Sequence, residues 1–304
     1  MELLAMSMDR LIEVTDMWPA TNGVLPMSSS ILVTAATGTV GKHLVPRLLA
    51  LGHRVRAASR SGKASLGEAT RLDFDAPASF AAALDGVDAI YLVVPTGPHH
   101  PLHMLSGFVD AAAARGIKIV LQSAIGVDAD EAIPFRQLER KIEASGAPYV
   151  LLRPNWFFDN FHTYWLKDVR ERGLIQLPAG ETRTSFVDAR DIADVAAAAL
   201  TRPDFDGEAL TLTGAESLTY AEAASVLSAV SGKPIRYEPV EVSQFIASAE
   251  RIGLTREYAE HLAPIFYPVT QGWVAADSGD VSRVTGRAAR RLVDYVADNA
   301  ARFV

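Results

Sequence analysis

The chain of 304 residues contains no cysteine. That absence excludes disulfides, thiolate catalysis and cysteine-ligated zinc together. No apolar stretch approaches the ~20 residues a membrane-spanning helix needs. No run of lysine and arginine stands out, and 29 basic against 36 acidic residues leave a formal charge of −7. An acidic chain without a basic patch argues against nucleic acid or an anionic membrane as a partner. The expectation is a soluble, cytoplasmic protein that acts on a small molecule, with no metal and with a homodimer left open. Apolar residues make up 49% of the chain. That is ample for one large α/β domain or for a nucleotide-binding domain with a smaller lobe.

Residues 1–29 differ from the rest. Met1, Met6, Met8, Met17 and Met27 are five of the 6 methionines in the chain. Glu2 and Asp9, and the lack of a basic start before an apolar core, argue against a secretory signal. The segment reads as an N-terminal extension without fixed structure, optional at least over residues 1–26.

The most informative stretch begins at residue 31. Ile31-Leu32-Val33 suits a buried parallel strand, and it runs into the small-residue turn Thr34-Ala35-Ala36-Thr37-Gly38-Thr39-Val40-Gly41. An amphipathic helix, Lys42 to Leu51, starts at once. A strand feeding a glycine turn at a helix N-terminus holds a dinucleotide pyrophosphate, because the backbone approaches closely and unpaired N–H groups face the charge. Thr34 and Ala36 to Gly41 are the expected contacts.

Further strands are expected at Arg54–Ala58, Ala89–Val94, Ile117–Gln122 and Tyr149–Arg153. Helical spacing over Ser79–Leu84, Met104–Ala114 and Phe135–Ala144 separates them. This alternation implies a doubly wound parallel sheet with helices on both faces, a Rossmann-like α/β fold. Asp191–Leu200 reads as an alanine-rich helix and Ala209–Thr213 as a strand. Thr219–Val230 reads as a helix opened by a threonine cap with Glu222 three residues on. Residues 30–200 form the nucleotide-binding domain, and 201–304 supply most of a small, discontinuous substrate lobe.

Ligands of such sheets lie beyond the C-terminal strand ends. After the second strand, Ser59-Arg60-Ser61-Gly62-Lys63 carries no acid for an adenosine ribose. A basic residue there suits the extra phosphate of NADP, so Arg60, helped by Ser59 and Lys63, points to NADP(H). Asp73 and Phe74 fall at the adenine end. Val94, Pro95 and Thr96 would pass beneath the cofactor, and Gln122 and Ser123 would reach the nicotinamide.

The turn, the Ala-Ser-Arg after the second strand, Leu-Arg-Pro at 152–154 and Phe186-Val187-Asp188-Ala189-Arg190-Asp191-Ile192-Ala193 resemble the NmrA-like atypical short-chain dehydrogenases. The resemblance runs from residue 30 to about 300 and includes Val284-Thr285-Gly286-Arg287. It looks closest to the ergot-alkaloid-pathway reductases of the festuclavine synthase and agroclavine dehydrogenase type and their bacterial relatives. That resemblance implies NADPH-dependent reduction of an imine or iminium, in the setting of secondary metabolism. Quinone-reductase members and non-catalytic NADP-binding redox sensors imply the two alternatives.

Two departures from the family pattern matter. The family turn usually begins Thr-Gly-Ala-Thr-Gly, and Ala35 replaces its first glycine. Alanine is tolerated there if φ is negative and costly if φ is positive. The chain also lacks the Tyr-x-x-x-Lys pair, and Phe135 stands where many relatives carry a lysine four residues before Glu139. An iminium acceptor already carries its charge and needs no proton from such a pair.

Asn155 to Phe161, with His162, Tyr164 and Trp165, reads as the substrate wall. Aromatic faces with a few polar groups suit a flat or cationic ligand. Trp156, Phe157, Asn160, Phe161, Tyr164 and Pro95 are its expected contacts, with Asp159 either orienting a substrate or capping a helix. Ser123 and His99 are the candidate proton donors, the histidine because it titrates near neutrality.

Overall fold

The computed structural model describes residues 28–303 apart from Thr96, Pro98, His99 and Ile252. The expected extension up to residue 27, and the roles given to Thr96 and His99, lie outside the described residues. A single sheet carries β1 (Ser30–Val33), β2 (Arg54–Ser59), β3 (Glu68–Arg71), β4 (Ala89–Val93), β5 (Lys118–Gln122), β6 (Tyr149–Pro154) and β7 (Ala209–Leu212). Their spatial order is β3-β2-β1-β4-β5-β6-β7, and every pairing is parallel. This is the Rossmann-like doubly wound arrangement, with its order reversing between β1 and β4. A ligand crevice opens at that switch point.

Both faces of the sheet are covered, which is why its central strands read as unbroken apolar runs. Alternate side chains serve different layers. Ile31, Val33, Tyr91 and Val120 pack under α1 (Gly41–Ala50) and the later helix Ala189–Thr201. Leu32, Ile90, Leu92 and Ile119 pack under α2 (Pro101–Ala113) and α3 (Pro134–Glu143). Alanines let α4 (Ala189–Thr201) lie close to the sheet, with Ala193 and Ala196–Ala199 fully buried.

A third cluster forms the smaller lobe. Its strands are two short ribbons, Leu174–Leu177 with Arg236–Pro239 and Arg183–Thr184 with Leu218–Thr219. Its helix α5 (Tyr220–Ser231) opens with the expected capping box, Thr219 and Glu222 bonding to each other's backbone N–H. The lobe draws on both sides of residue 200. Phe158 and Phe161 belong to its core, whereas β7, Val281 and Val284 return to the core beneath the sheet.

Ion pairs fasten that return. Arg287 and Arg290 grip Asp191 and Asp194, both buried on α4, and Arg47 of α1 reaches Asp194 at 2.6 Å. Buried carboxylates need such partners to offset desolvation. No helix of the described residues is long and apolar enough to cross a membrane.

Candidate dinucleotide and substrate cleft

The phosphate turn begins where β1 ends. The Thr34 hydroxyl donates to the Tyr91 carbonyl and accepts from the Val93 N–H, both at 2.9 Å, so it staples β1 to β4. Ala35 then takes φ +49°, the one positive φ among described non-glycine residues. The alanine therefore sits on the costly side of the condition set by the sequence. Its carbonyl accepts from the Gly38 N–H at 2.8 Å and closes the turn. Gly41 lets α1 approach, since a Cβ there would collide with the Ala35 carbonyl and lie 2.8 Å from the Ala36 Cα.

Ala35 and Gly38 to Gly41 face the crevice. Ala36 packs toward the core instead, and Thr37 is exposed beside it. The N–H groups of Lys42, His43 and Leu44 are bonded within the turn, and those of Thr39, Val40 and Gly41 have no partner among the described residues, which suits an anion at the helix N-terminus.

At the other side of β1, the loop after β2 is folded by Ser59. Its hydroxyl accepts from the Lys63 N–H at 3.0 Å and donates to the Lys63 carbonyl at 2.8 Å. The hydroxyl thus shapes the loop. Arg60 and Lys63 are exposed, and Arg71 of β3 stands directly opposite Ser59 in the strand register. A Cβ on Gly62 would lie 3.3 Å from the Arg71 Cβ, so the loop and Arg71 share one face. None of the three cations has a side-chain partner among the described residues. Sequence reasoning missed Arg71, because only strand pairing brings it beside Arg60.

Asp73 accepts from the Asp75 N–H at 3.1 Å, and Phe74 sets its ring edge-on to Phe108 at 5.3 Å. Both shape the segment that follows β3.

The main cleft holds about 900 Å³ between the sheet and the lobe. Val94, Pro95, Gln122, Ser123, Trp156, Phe157, Asn160 and Tyr164 line it as the sequence suggested. Pro264, Ile265, Pro268 and Val274 close it from the lobe, a contribution no local pattern announces. Phe161 is a correction. It is fully buried among Trp165, Phe186 and Tyr220, because the short 3-10 turn Phe158–His162 rotates it inward.

Part of the polar lining is committed within the protein, whereas the side chains of Thr39, Asn160 and Tyr164 have no hydrogen-bond partner among the described residues. Tyr91 donates to Gln122. Asn155 donates to the Val274 carbonyl at 2.9 Å and accepts from the Trp156 N–H at 2.8 Å. Ser123 donates to Glu139 at 2.7 Å, which commits its hydroxyl away from the cleft. Glu139 is fully buried and also accepts from Arg153 and Arg136, each at 2.7 Å. Burial alone would raise its pKa, but bonds from Arg153, Ser123 and Arg136 outweigh that and hold it below the usual carboxylate value.

Asp159 caps no helix and lines neither cavity. It pairs with Lys42 of α1 at 3.3 Å, and burial pushes its pKa up. The described residues lining the cleft include no lysine, arginine, histidine or carboxylate.

Fold and cleft define a dinucleotide-binding protein of the Rossmann class. The chain belongs to the NmrA-like family, which it matches over residues 27–294. It is 31% identical over 284 residues to an NAD(P)H azoreductase of Xenophilus azovorans, covering 90% of this chain and 99% of that one. It is 29% identical to the agroclavine dehydrogenase of Claviceps fusiformis, covering 89% and 97%. Among solved structures it is similar to the NADPH-dependent quinone oxidoreductase QOR2 of Escherichia coli complexed with NADPH. That likeness has a TM-score of 0.78 at 23% identity and covers 88% and 99% of the two chains.

Proposed function

We infer that this chain is an NAD(P)H-dependent oxidoreductase, and we propose that it uses NADPH to reduce a flat aromatic imine or iminium. The observation that carries this reading is the cleft itself, wide, aromatic and free of charged side chains among its described lining.

The residues of the crevice and its flanking loop fit the cofactor. Gly38 to Gly41 and the start of α1 would hold its pyrophosphate, and the unpartnered Arg60, Lys63 and Arg71 would hold a 2′-phosphate. Val94, Pro95 and Gln122 would border its nicotinamide end. The bound nicotinamide supplies a hydride. The protein's part is then to bind, orient and exclude water.

Trp156, Phe157 and Tyr164 line the cleft with aromatic surface that suits a flat acceptor and attracts a cation, although Trp156 is itself stacked on Phe266. The Ser123 hydroxyl is committed to Glu139 and Asn155 is bonded at both ends. Neither offers a proton to the acceptor. An acceptor that already bears its charge fits such a site, because hydride transfer completes its reduction.

One observation favours a second reading. No carboxylate lies in the described lining to pair with a cation, so a neutral quinone suits the cleft as well. It would take its one remaining proton from water after the transfer. Both readings are tested by following NADPH absorbance with a cyclic aromatic iminium and a quinone in parallel. Faster oxidation with the iminium supports the first reading. Tight NADPH binding without oxidation by either acceptor overturns both and leaves the non-catalytic sensor.

A further inference from the structure

A smaller cavity of about 190 Å³ lies behind the main cleft, inside the lobe. Its walls come from Leu174–Leu177, from α6 (Val242–Arg251) and from the segment up to Phe266. Trp156 and Phe266 stack at 4.8 Å, and Phe245 meets Phe266 edge-on at 5.2 Å. Trp156, Asn160, Tyr164 and Ile265 border both spaces. The two cavities therefore share one wall, and Tyr164 and Ile265 in it are half exposed.

Three polar side chains around the small cavity are engaged within the protein, whereas Asn160, the Tyr164 hydroxyl and the indole N–H groups of Trp156 and Trp165 have no hydrogen-bond partner among the described residues. Asp168 holds Arg172 at 3.2 Å, Ser248 accepts from Arg251 at 2.6 Å, and Gln176 donates to Glu238 at 3.1 Å. Asn160 alone of the unpartnered four carries an amide. An apolar cavity of about 150 Å³ stays dry and accepts benzene. A slightly larger one walled by aromatic rings has room for one six-membered ring.

We propose that this cavity is a distal subsite for an uncharged aromatic ring, joined to the reacting group by a short linker that bonds to Asn160. The substrate class is thus a two-ringed aromatic acceptor, with one ring in the main cleft and the second behind Tyr164 and Ile265. The identity of the reacting ring rests on the hydride-transfer reading; the ring-binding cavity does not.

The experiment titrates the full chain with fluorobenzene and follows its fluorine resonance by NMR. Ala249→Phe on α6 fills the cavity from the inside, and Leu262→Trp fills it from its edge in case the first variant folds poorly. The expected result is saturable binding to the wild type, at least tenfold weaker in a filled variant, with NADPH affinity unchanged within twofold. A second arm compares 1,4-benzoquinone with 2-phenyl-1,4-benzoquinone. Filling the cavity should lower kcat/KM for the phenyl compound at least tenfold and leave the single-ring compound unaffected.

Absence of saturable fluorobenzene binding in the wild type, or equal binding in the folded filled variants, overturns the proposal. So does an equal loss for both quinones. Failure of the hydride-transfer reading looks different: neither the cyclic aromatic iminium nor either quinone oxidises NADPH, while fluorobenzene still binds and is still displaced by the filling residue.

Discussion

Ala35 occupies a left-handed conformation that its side chain disfavours by about 1–2 kcal/mol. Ala35→Gly removes that strain without touching the Gly38 hydrogen bond, so it should stabilise the chain by about 1 kcal/mol. Calorimetry would show this as a midpoint raised by roughly 2–4 °C; an unchanged or lower midpoint contradicts the strain. Arg60 and Arg71 are tested by direct titration. Each alanine variant should weaken NADPH binding by about tenfold or more, since a charge-assisted bond is worth roughly 1.5–3 kcal/mol. NADH affinity should stay as it is, and an equal loss for both cofactors would remove these residues from phosphate recognition. Arg60 was legible because it follows a strand directly. Arg71 was not, because its place beside Ser59 depends on the pairing of β2 with β3.

Glu139 links three elements. From α3 it bonds to Ser123 at the end of β5 and to Arg153 on β6, and it also holds Arg136 one turn earlier in its own helix. Glu139→Gln keeps the shape but leaves two guanidinium groups around a neutral amide. Breaking one side of a buried pair costs about 3–5 kcal/mol, so urea denaturation should show a loss of that size. A loss below about 1 kcal/mol would mean the network is as weak as a surface pair. The elements that were expected lie within a few residues of their predicted bounds, whereas β3, the ribbon strands of the lobe and α6 were not among them. Tyr149–Arg153 extends only to Pro154, and Phe135–Ala144 shifts one place to Pro134–Glu143. Periodicity marks which face of a helix is apolar, and it does so reliably for these long elements. It has no purchase on the short turn Phe158–His162, where the side to which Phe161 points is set by packing against Phe186 and Tyr220.

Acid should loosen the whole molecule. Burial pushes His162, bonded to Tyr295 between the lobe's helices, from 6.5 down to about 4. The unfolded chain therefore takes up this proton first, and stability falls as pH drops from about 6.5 toward 4. Glu139 acts with the same sign lower down. Its folded pKa is depressed, so its contribution is present above the ordinary 4.5 and is lost as pH falls through the lowered folded value. Denaturation at a series of pH values should thus show a decline beginning near 6.5. His162→Gln should flatten its upper part, and an unchanged profile in that variant would place the acid sensitivity elsewhere.

Sequence alone determined the strand and helix alternation, the glycine turn ahead of α1, the cap of α5 and the NmrA-like character of the chain. All of these depend on residues within a few turns of one another, where propensity and spacing act directly. Tertiary structure decided which side chains share a space. It set Arg71 beside Ser59, turned Ser123 toward Glu139, buried Phe161, and brought Pro264 to Val274 over a cleft whose floor begins at Ala35. Those outcomes depend on contacts between segments far apart in the chain, and no local pattern encodes them.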